Sequence, residues 1–389
     1  MNTLKKLYAH LNSAKTFKDK YPAYNPEDEK IHVLFISPCL NESGYYRMIL
    51  PALEMNRTNS HRAILLQIHK WDFNKSFEEY DNPVDVRLIK WADYVVLPFT
   101  MTDISYILKA MKEINSNIDF VMDMDINYFQ LPDSHPEAKK ITAEGKNTLL
   151  NNLFLIDMLT APNEAITTYF LDLVQQHQRE YLLYFESYPN LLSNFTFDEI
   201  THIQRNETDR IKIGLLLEHY QEADLRLIEK PLGSLLEKHG DKIEFILFGF
   251  TEKAAEQCNL FKGLPVRYER TVHFTLYYGQ LNELRFDIGW LPLCNSPFNA
   301  ASKAFMRWLD FSSLMVPVLA PNMAPFTTLI KEAETGFLIS DEQEWIEKTE
   351  RLLENLQFRR DMGAAAFKEA WENYSYTAKG IQRLRAVFI

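Results

Sequence analysis

The feature that most constrains this chain is a pattern written twice. Short apolar runs of strand length alternate with amphipathic stretches of helical period, first from Ile31 and again from Ile211. The first series opens with IHVLFIS, Ile31 to Ser37, a continuous apolar run ending in a proline-containing loop. An amphipathic segment from Tyr45 to Met55 follows, then HRAILLQI, DYVVLPF at Asp93 to Phe99, a helix-like stretch from Ile104 to Ile114, and IDFVMDMD. A strand that is apolar at every position is covered on both faces, as strands of a parallel sheet are. Strands separated by helices form βαβ units, which build a doubly wound sheet. The fold class is therefore α/β.

The second series begins with IKIGLLL and continues through a helical segment to His239, IEFILFG at Ile243 to Gly249, LPVRYER, the helix-like LYYGQLNELR and FDIGWLPL. It ends with a predicted helix from Ala300 to Met315, VPVLA at Val316 to Ala320 and GFLI at Gly336 to Ile339. Between the series lies SNFTFDEITHIQRNETDR, Ser193 to Arg210, polar and without apolar periodicity, which reads as a linker. The expected organisation is an N-terminal domain over 1–200, a second over 201–370, and a terminal helical segment over 371–389. A length of 389 residues agrees with two domains of ordinary size.

Composition narrows the function. With 46% hydrophobic and 24% charged residues the chain has ample core and nothing disordered in its balance. A formal net charge of −11 argues against a duplex nucleic-acid ligand, which needs clustered cations to neutralise phosphates. No stretch has the roughly 18 consecutive apolar residues of a membrane span, and the leader lacks the apolar centre of a signal peptide, so the expectation is a cytoplasmic protein. Cys39, Cys258 and Cys294 are too scattered for a disulfide framework or a zinc cluster, and the 10 histidines show no HExxH spacing. No metal site is expected.

Ligands of open parallel sheets bind outside the carboxyl ends of the strands, so the residues following each strand are the candidates. After the first strand, Asn41 to Arg47 holds Gly44 and opens a helix. Gly44 could let backbone N–H groups approach a ligand and Arg47 could meet it, or the two are a plain turn and a solvated helix residue. Asp123 and Asp125 close another strand, either as a base or hydroxyl partner or as loop-fixing caps. In the predicted helix 300–315, Lys303, Arg307 and Asp310 fall at i, i+4 and i+7 on one face while Phe305, Trp308 and Leu309 point elsewhere. Because this helix starts at the sheet's carboxyl edge, Asn299 and Lys303 are placed to meet an anionic ligand, with Gly249, Phe250 and Leu293 at neighbouring strand ends.

These same residues carry a resemblance. Asp287-Ile288-Gly289-Trp290-Leu291-Pro292-Leu293, then Phe298-Asn299, Lys303, Arg307, Asp310 and Val316-Pro317-Val318, resembles the pattern DIGxxPL…FNxxKSxxKxLEYxAxGxPV of GT-B glycosyltransferases, the family 4-like, spore-coat and O-antigen type enzymes. Gly336-Phe337-Leu338 resembles the strand that closes their nucleotide pocket. Weaker echoes are Ser43-Gly44-Tyr45-Tyr46-Arg47, Met122-Asp123-Met124-Asp125, Leu159-Thr160-Ala161-Pro162 and Pro189-Asn190. The E-x7-E pair of retaining relatives is replaced by Ser302 and Asp310, and the diphosphate-gripping base after the second domain's first strand is missing.

The resemblance implies two Rossmann-like domains facing a cleft, a UDP- or GDP-linked sugar donor and a glycan, lipid-linked or other acceptor. It further implies no cofactor or metal, and a retaining transfer; peripheral membrane association is left open. Lys303 and Arg307 would stabilise the leaving diphosphate, Asp310 would hold ribose or sugar hydroxyls, and Asp123 or Asp125 would face the acceptor. A non-catalytic nucleotide-sugar or glycan-binding module and a nucleotide-sugar epimerase are the alternatives.

Overall fold

A computed structural model describes residues 6, 7, 9, 16–36, 41–66, 85–133, 135, 138–177, 183–197, 210–216, 222–250, 261–270, 272–302 and 305–389, with the backbone alone at 250, 301 and 302. The chain divides into two compact units. One comprises Met1–Leu131, Glu137–Phe195 and Tyr376–Ile389, the other Pro132–Pro136 and Thr196–Ser375. The expected linker falls largely on 198–209, which lie outside the described residues.

The first unit is built on β1 (Ile31–Ile36), β2 (His61–Leu66), β3 (Tyr94–Pro98), β4 (Asp119–Asp123), β5 (Met158–Ala161) and β6 (Tyr184–Ser187). They form one sheet in the order β2-β1-β3-β4-β5-β6, with every pairing parallel. Successive side chains of a strand point to opposite faces. Leu34, Ile36, Val95, Leu97, Phe120 and Met122 accordingly enter one core. Val33, Phe35, Val96 and Val121 enter another on the opposite face. Leu384 and Val387 of the terminal helix Ala378–Val387, with Phe388, complete that second core. Neither face of the sheet is bare, which is why its central strands carry no polar alternation.

The second unit holds β7 (Ile211–Leu216), β8 (Ile243–Phe250), β9 (Arg267–Arg270), β10 (Ile288–Trp290), β11 (Val318–Pro321) and β12 (Gly336–Ile339). Their order is β12-β11-β10-β7-β8-β9, again all parallel. Counted from its own first strand this is the 3-2-1-4-5-6 arrangement of dinucleotide-binding folds, with the order reversing between β7 and β10. At that junction Gly214 pairs with Gly289. A Cβ on Gly214 would lie 2.4 Å from the Phe286 ring and one on Gly289 2.7 Å from the Phe311 ring, so the two glycines admit aromatic rings onto the sheet.

One expected element is corrected. The predicted helix 300–315 is two helices, Pro297–Ser302 and Met306–Ser313, with 303 and 304 outside the described residues. Phe305 leaves the α region at ψ 34° and turns its ring against Trp308 and Tyr374, at centroid distances of 6.1 and 5.0 Å. A stripe running unbroken from Lys303 through Arg307 to Asp310 therefore does not follow from the helical period. Among the described residues no helix is long and apolar enough to cross a membrane.

Candidate functional site

The carboxyl end of β4 supplies two aspartates with opposite surroundings. Asp123 is buried, and its carboxylate accepts a forked pair of bonds from Arg47, Nε at 2.9 Å and Nη2 at 2.7 Å, plus the Thr160 hydroxyl at 2.6 Å. Arg47 spends Nη1 on the Tyr188 carbonyl at 2.7 Å and lies 3.8 Å above the Tyr188 ring. Burial alone would lower the pKa of this guanidinium, but the charge of Asp123 beside it outweighs that and raises it. Arg47 sits in a π-helical turn, Tyr45–Ile49, inserted between Glu42–Gly44 and Leu50–Met55. Such turns widen a helix locally.

Asp125, two residues on, is half-buried. Its Oδ1 accepts from the Tyr128 hydroxyl at 2.9 Å and the Ile126 N–H at 3.1 Å, while Oδ2 accepts from the Ser43 hydroxyl. Burial raises its pKa, the bonds from Ser43 and Tyr128 oppose that, and the charge of Asp123 adds to it. The Tyr128 ring stacks on Phe99 at 3.7 Å, so the tyrosine that orients the carboxylate is itself held flat at the strand edge. A carboxylate that is oriented, partly accessible and biased toward its protonated form has the properties of a proton acceptor for a hydroxyl.

In the second unit the loops after β7 and β10 are tied together at the point where strand order reverses. Asp224, fully buried in the short helix Glu222–Arg226, accepts the Cys294 N–H at 2.8 Å and Asn299 Nδ2 at 3.1 Å. Asn299 Nδ2 also bonds the Cys294 carbonyl at 2.9 Å. Further along, Asp310 is fully buried and accepts from Tyr277 at 2.8 Å, Tyr278 at 3.3 Å and Arg307 at 3.0 Å. Arg307 also donates to the Tyr277 oxygen at 2.7 Å. Gly249 has φ 101°, a conformation that side chains disfavour, where the β8–β9 register slips between Phe248 and Phe250.

No protein-family model matches the chain, and no curated protein matches its sequence. Solved structures do. HepE of Anabaena, solved with UDP-glucose, is similar at a TM-score of 0.59 and 13% identity, over 92% of this chain and 99% of that one. Sucrose-phosphate synthase from Thermosynechococcus elongatus is similar at 0.60 and 9%, over 92% and 98%. The chain has the GT-B fold. A larger protein, TarM of S. aureus, is similar at a TM-score of 0.48 and 14% identity over 78% of this chain, which spans 58% of TarM's length.

Within the GT-B fold the structure re-sorts the residues singled out from the sequence. Gly44 does not offer its N–H to a ligand, because that N–H bonds the Asn41 side chain at 2.8 Å as a helix cap, and its φ of −59° is ordinary. Arg47 faces the interior, its charge matched by Asp123. Leu293 is buried, which leaves it a packing role. Arg307 and Asp310 come together as expected of neighbours on a helix, but as an internal pair with Tyr277 rather than an open stripe. Asn299 turns both amide protons inward, so it is not an anion contact. Lys303 lies outside the described residues, as does the side chain of Phe250.

Four participants escaped the sequence reading: Asp224, Tyr277, Tyr278 and Tyr128. Asp224 follows a strand of the second series and could have been found by scanning beyond His219. The tyrosines gave no local signal. Among the described residues no group of three or more His, Cys, Asp or Glu side chains is arranged to hold a metal ion.

Proposed function

We propose that this chain is a glycosyltransferase that moves a sugar from a nucleotide-linked donor to a hydroxyl of a glycan or other acceptor. The observation that carries the reading is Asp125: a half-exposed carboxylate, oriented on both oxygens, at the carboxyl edge of one sheet of a GT-B chain. Asp125 takes the proton of the acceptor hydroxyl as the acceptor oxygen bonds the anomeric carbon. The bond from that carbon to the diphosphate oxygen breaks, and the leaving group departs as a nucleoside diphosphate. The donor belongs to the second unit, whose strand order reverses between β7 and β10 in the manner of nucleotide-binding sheets. HepE, solved with UDP-glucose, supports a UDP-linked donor.

With Arg307 already bonded to Asp310 and Tyr277, stabilisation of the leaving diphosphate falls to Lys303, which follows the switch-point loop in sequence. Loss of one such donor costs about 10²–10³ in kcat. Lys303→Ala should therefore lower transfer by that factor with an unchanged melting temperature. The reading includes retention at the anomeric carbon and independence of divalent metal. Product anomeric couplings by NMR, and turnover in excess chelator, check these two points.

The primary test is a thermal-shift screen of UDP- and GDP-sugars followed by a transfer assay, since ligand at about 100 times its Kd stabilises by roughly 2.7 kcal/mol. The internal Arg307–Asp310 pair favours one second reading, a non-catalytic nucleotide-sugar-binding module. Binding without hydrolysis or transfer to any acceptor would select it.

A further inference from the structure

The side chain of Asn299 is the clearest piece of unused chemistry in the second unit. Its amide orientation is fixed, because Nδ2 faces two acceptors, Asp224 Oδ1 at 3.1 Å and the Cys294 carbonyl at 2.9 Å. Exchanging nitrogen for oxygen would set an acceptor against both. Its backbone N–H is spent on the Ser296 hydroxyl at 3.1 Å. What remains is Oδ1, which is fully buried and has no hydrogen-bond partner. Buried amide oxygens in folded proteins are nearly always satisfied, so an orphan of this kind calls for a ligand or a water.

Its position says which. Asn299 follows the loop after β10 and is tied to the helix after β7, the two adjacent strands between which the sheet order reverses. Ligands of such sheets sit outside the strand ends at that point. Cys294, half-exposed on the same loop, brings its sulfur within 3.3 Å of Asn299 Nδ2 and so reports on the site. Resting on the glycosyltransferase reading, we infer that Asn299 Oδ1 accepts a hydrogen bond from an N–H or O–H group of the bound nucleotide-sugar. The residue therefore reads a hydrogen-bond donor on the nucleoside or the sugar, and the phosphates are held elsewhere. This reverses the polarity that its place in the sequence suggests.

The test uses the full chain with Cys39 and Cys258 changed to serine, so that alkylation by iodoacetamide reports Cys294 alone. Saturating UDP or UDP-glucose should slow Cys294 alkylation at least tenfold. By calorimetry, Asn299→Ala should bind three- to tenfold more weakly, the value of one neutral hydrogen bond. A loss seen with UDP as well as UDP-glucose assigns the group to the nucleoside, and a loss seen with UDP-glucose alone assigns it to the sugar. Should Asn299→Ala fail to fold, the alkylation arm on the parent protein still decides. Nucleotide binding with no protection of Cys294 overturns this inference and leaves the glycosyltransferase reading standing. No binding of any nucleotide or nucleotide-sugar overturns both.

Discussion

In the first unit the carboxylate at the sheet edge, Asp125, is half-exposed and takes its hydrogen bonds from neutral hydroxyls. In the second, Asp310 and Asp224 are wholly buried and answered by an arginine, two tyrosines, an amide and a backbone N–H. An uncompensated, accessible carboxylate costs stability and is available for proton transfer. A compensated, buried one does the reverse. The contrast assigns the chemistry of the acceptor to the first unit and leaves the second to grip and orient, through its backbone, its amide and whatever Lys303 provides.

The largest expected effect follows directly. Asp125→Asn keeps the shape and removes the base, and loss of a general base costs roughly 10²–10⁴ in rate. Because burial raises the folded-state pKa of Asp125, its protonated form is favoured on folding. The associated stability is fully present below the unfolded-state pKa and is lost as pH rises through the raised one. At neutral pH the ionised group is therefore a liability. Asp125→Asn should melt no lower than wild type there, and the gap should close toward the ordinary aspartate value of 3.8. The acid limb of the wild-type rate profile should lie above 3.8 for the same reason. A variant that melts lower at neutral pH and keeps its turnover would make Asp125 a structural residue.

Next in size are the two arginine pairs. Arg47→Ala strips Asp123 of its buried countercharge and should cost about 3–5 kcal/mol. Arg307→Ala leaves Asp310 with two tyrosine hydroxyls and should cost roughly 1–3 kcal/mol. Urea unfolding of both variants checks the ranking. Equal losses would mean that tyrosines compensate no better than Thr160 does, and would weaken the contrast drawn between the units.

These pairs also mark how far the sequence can be read. β1, β3, β7, β8 and β11 stand out because both their faces are covered. β6 does not, since Tyr184–Ser187 is an edge strand with alternate exposed residues and offers no apolar run. Glycosyltransferase character is suggested at residues 287–318 by order and spacing alone. The roles within the site are less legible, because each depends on partners far along the chain: Arg47 and Asp123 are 76 residues apart, Ser43 and Asp125 82, Tyr277 and Asp310 33. An arginine one turn into a helix reads the same from sequence whether it faces a ligand or a buried aspartate.

The smallest expected effect concerns the C-terminal end of helix Met306–Ser313, where the resembled pattern has glycine and this chain has Met315. The Val316 N–H bonds the Phe311 carbonyl at 3.0 Å and the Met315 N–H bonds the Ser312 carbonyl at 3.0 Å, the paired bonds of a Schellman motif. That motif sets the residue after the cap in the left-handed region, and Met315 has φ 55°. A non-glycine residue there costs about 1–2 kcal/mol. Glycine removes that strain and returns roughly 0.5–1 kcal/mol through the freer unfolded chain. Met315→Gly should therefore stabilise by about 0.5–1 kcal/mol, read as a rise in melting temperature of a few degrees with turnover unchanged. The backbone here cannot relax instead, because the helix Leu356–Asn373 presses on it: a Cβ on Gly363 would lie 2.0 Å from the Met315 carbonyl oxygen. A fall in melting temperature would show that the Met315 side chain contributes more by packing than its backbone conformation costs.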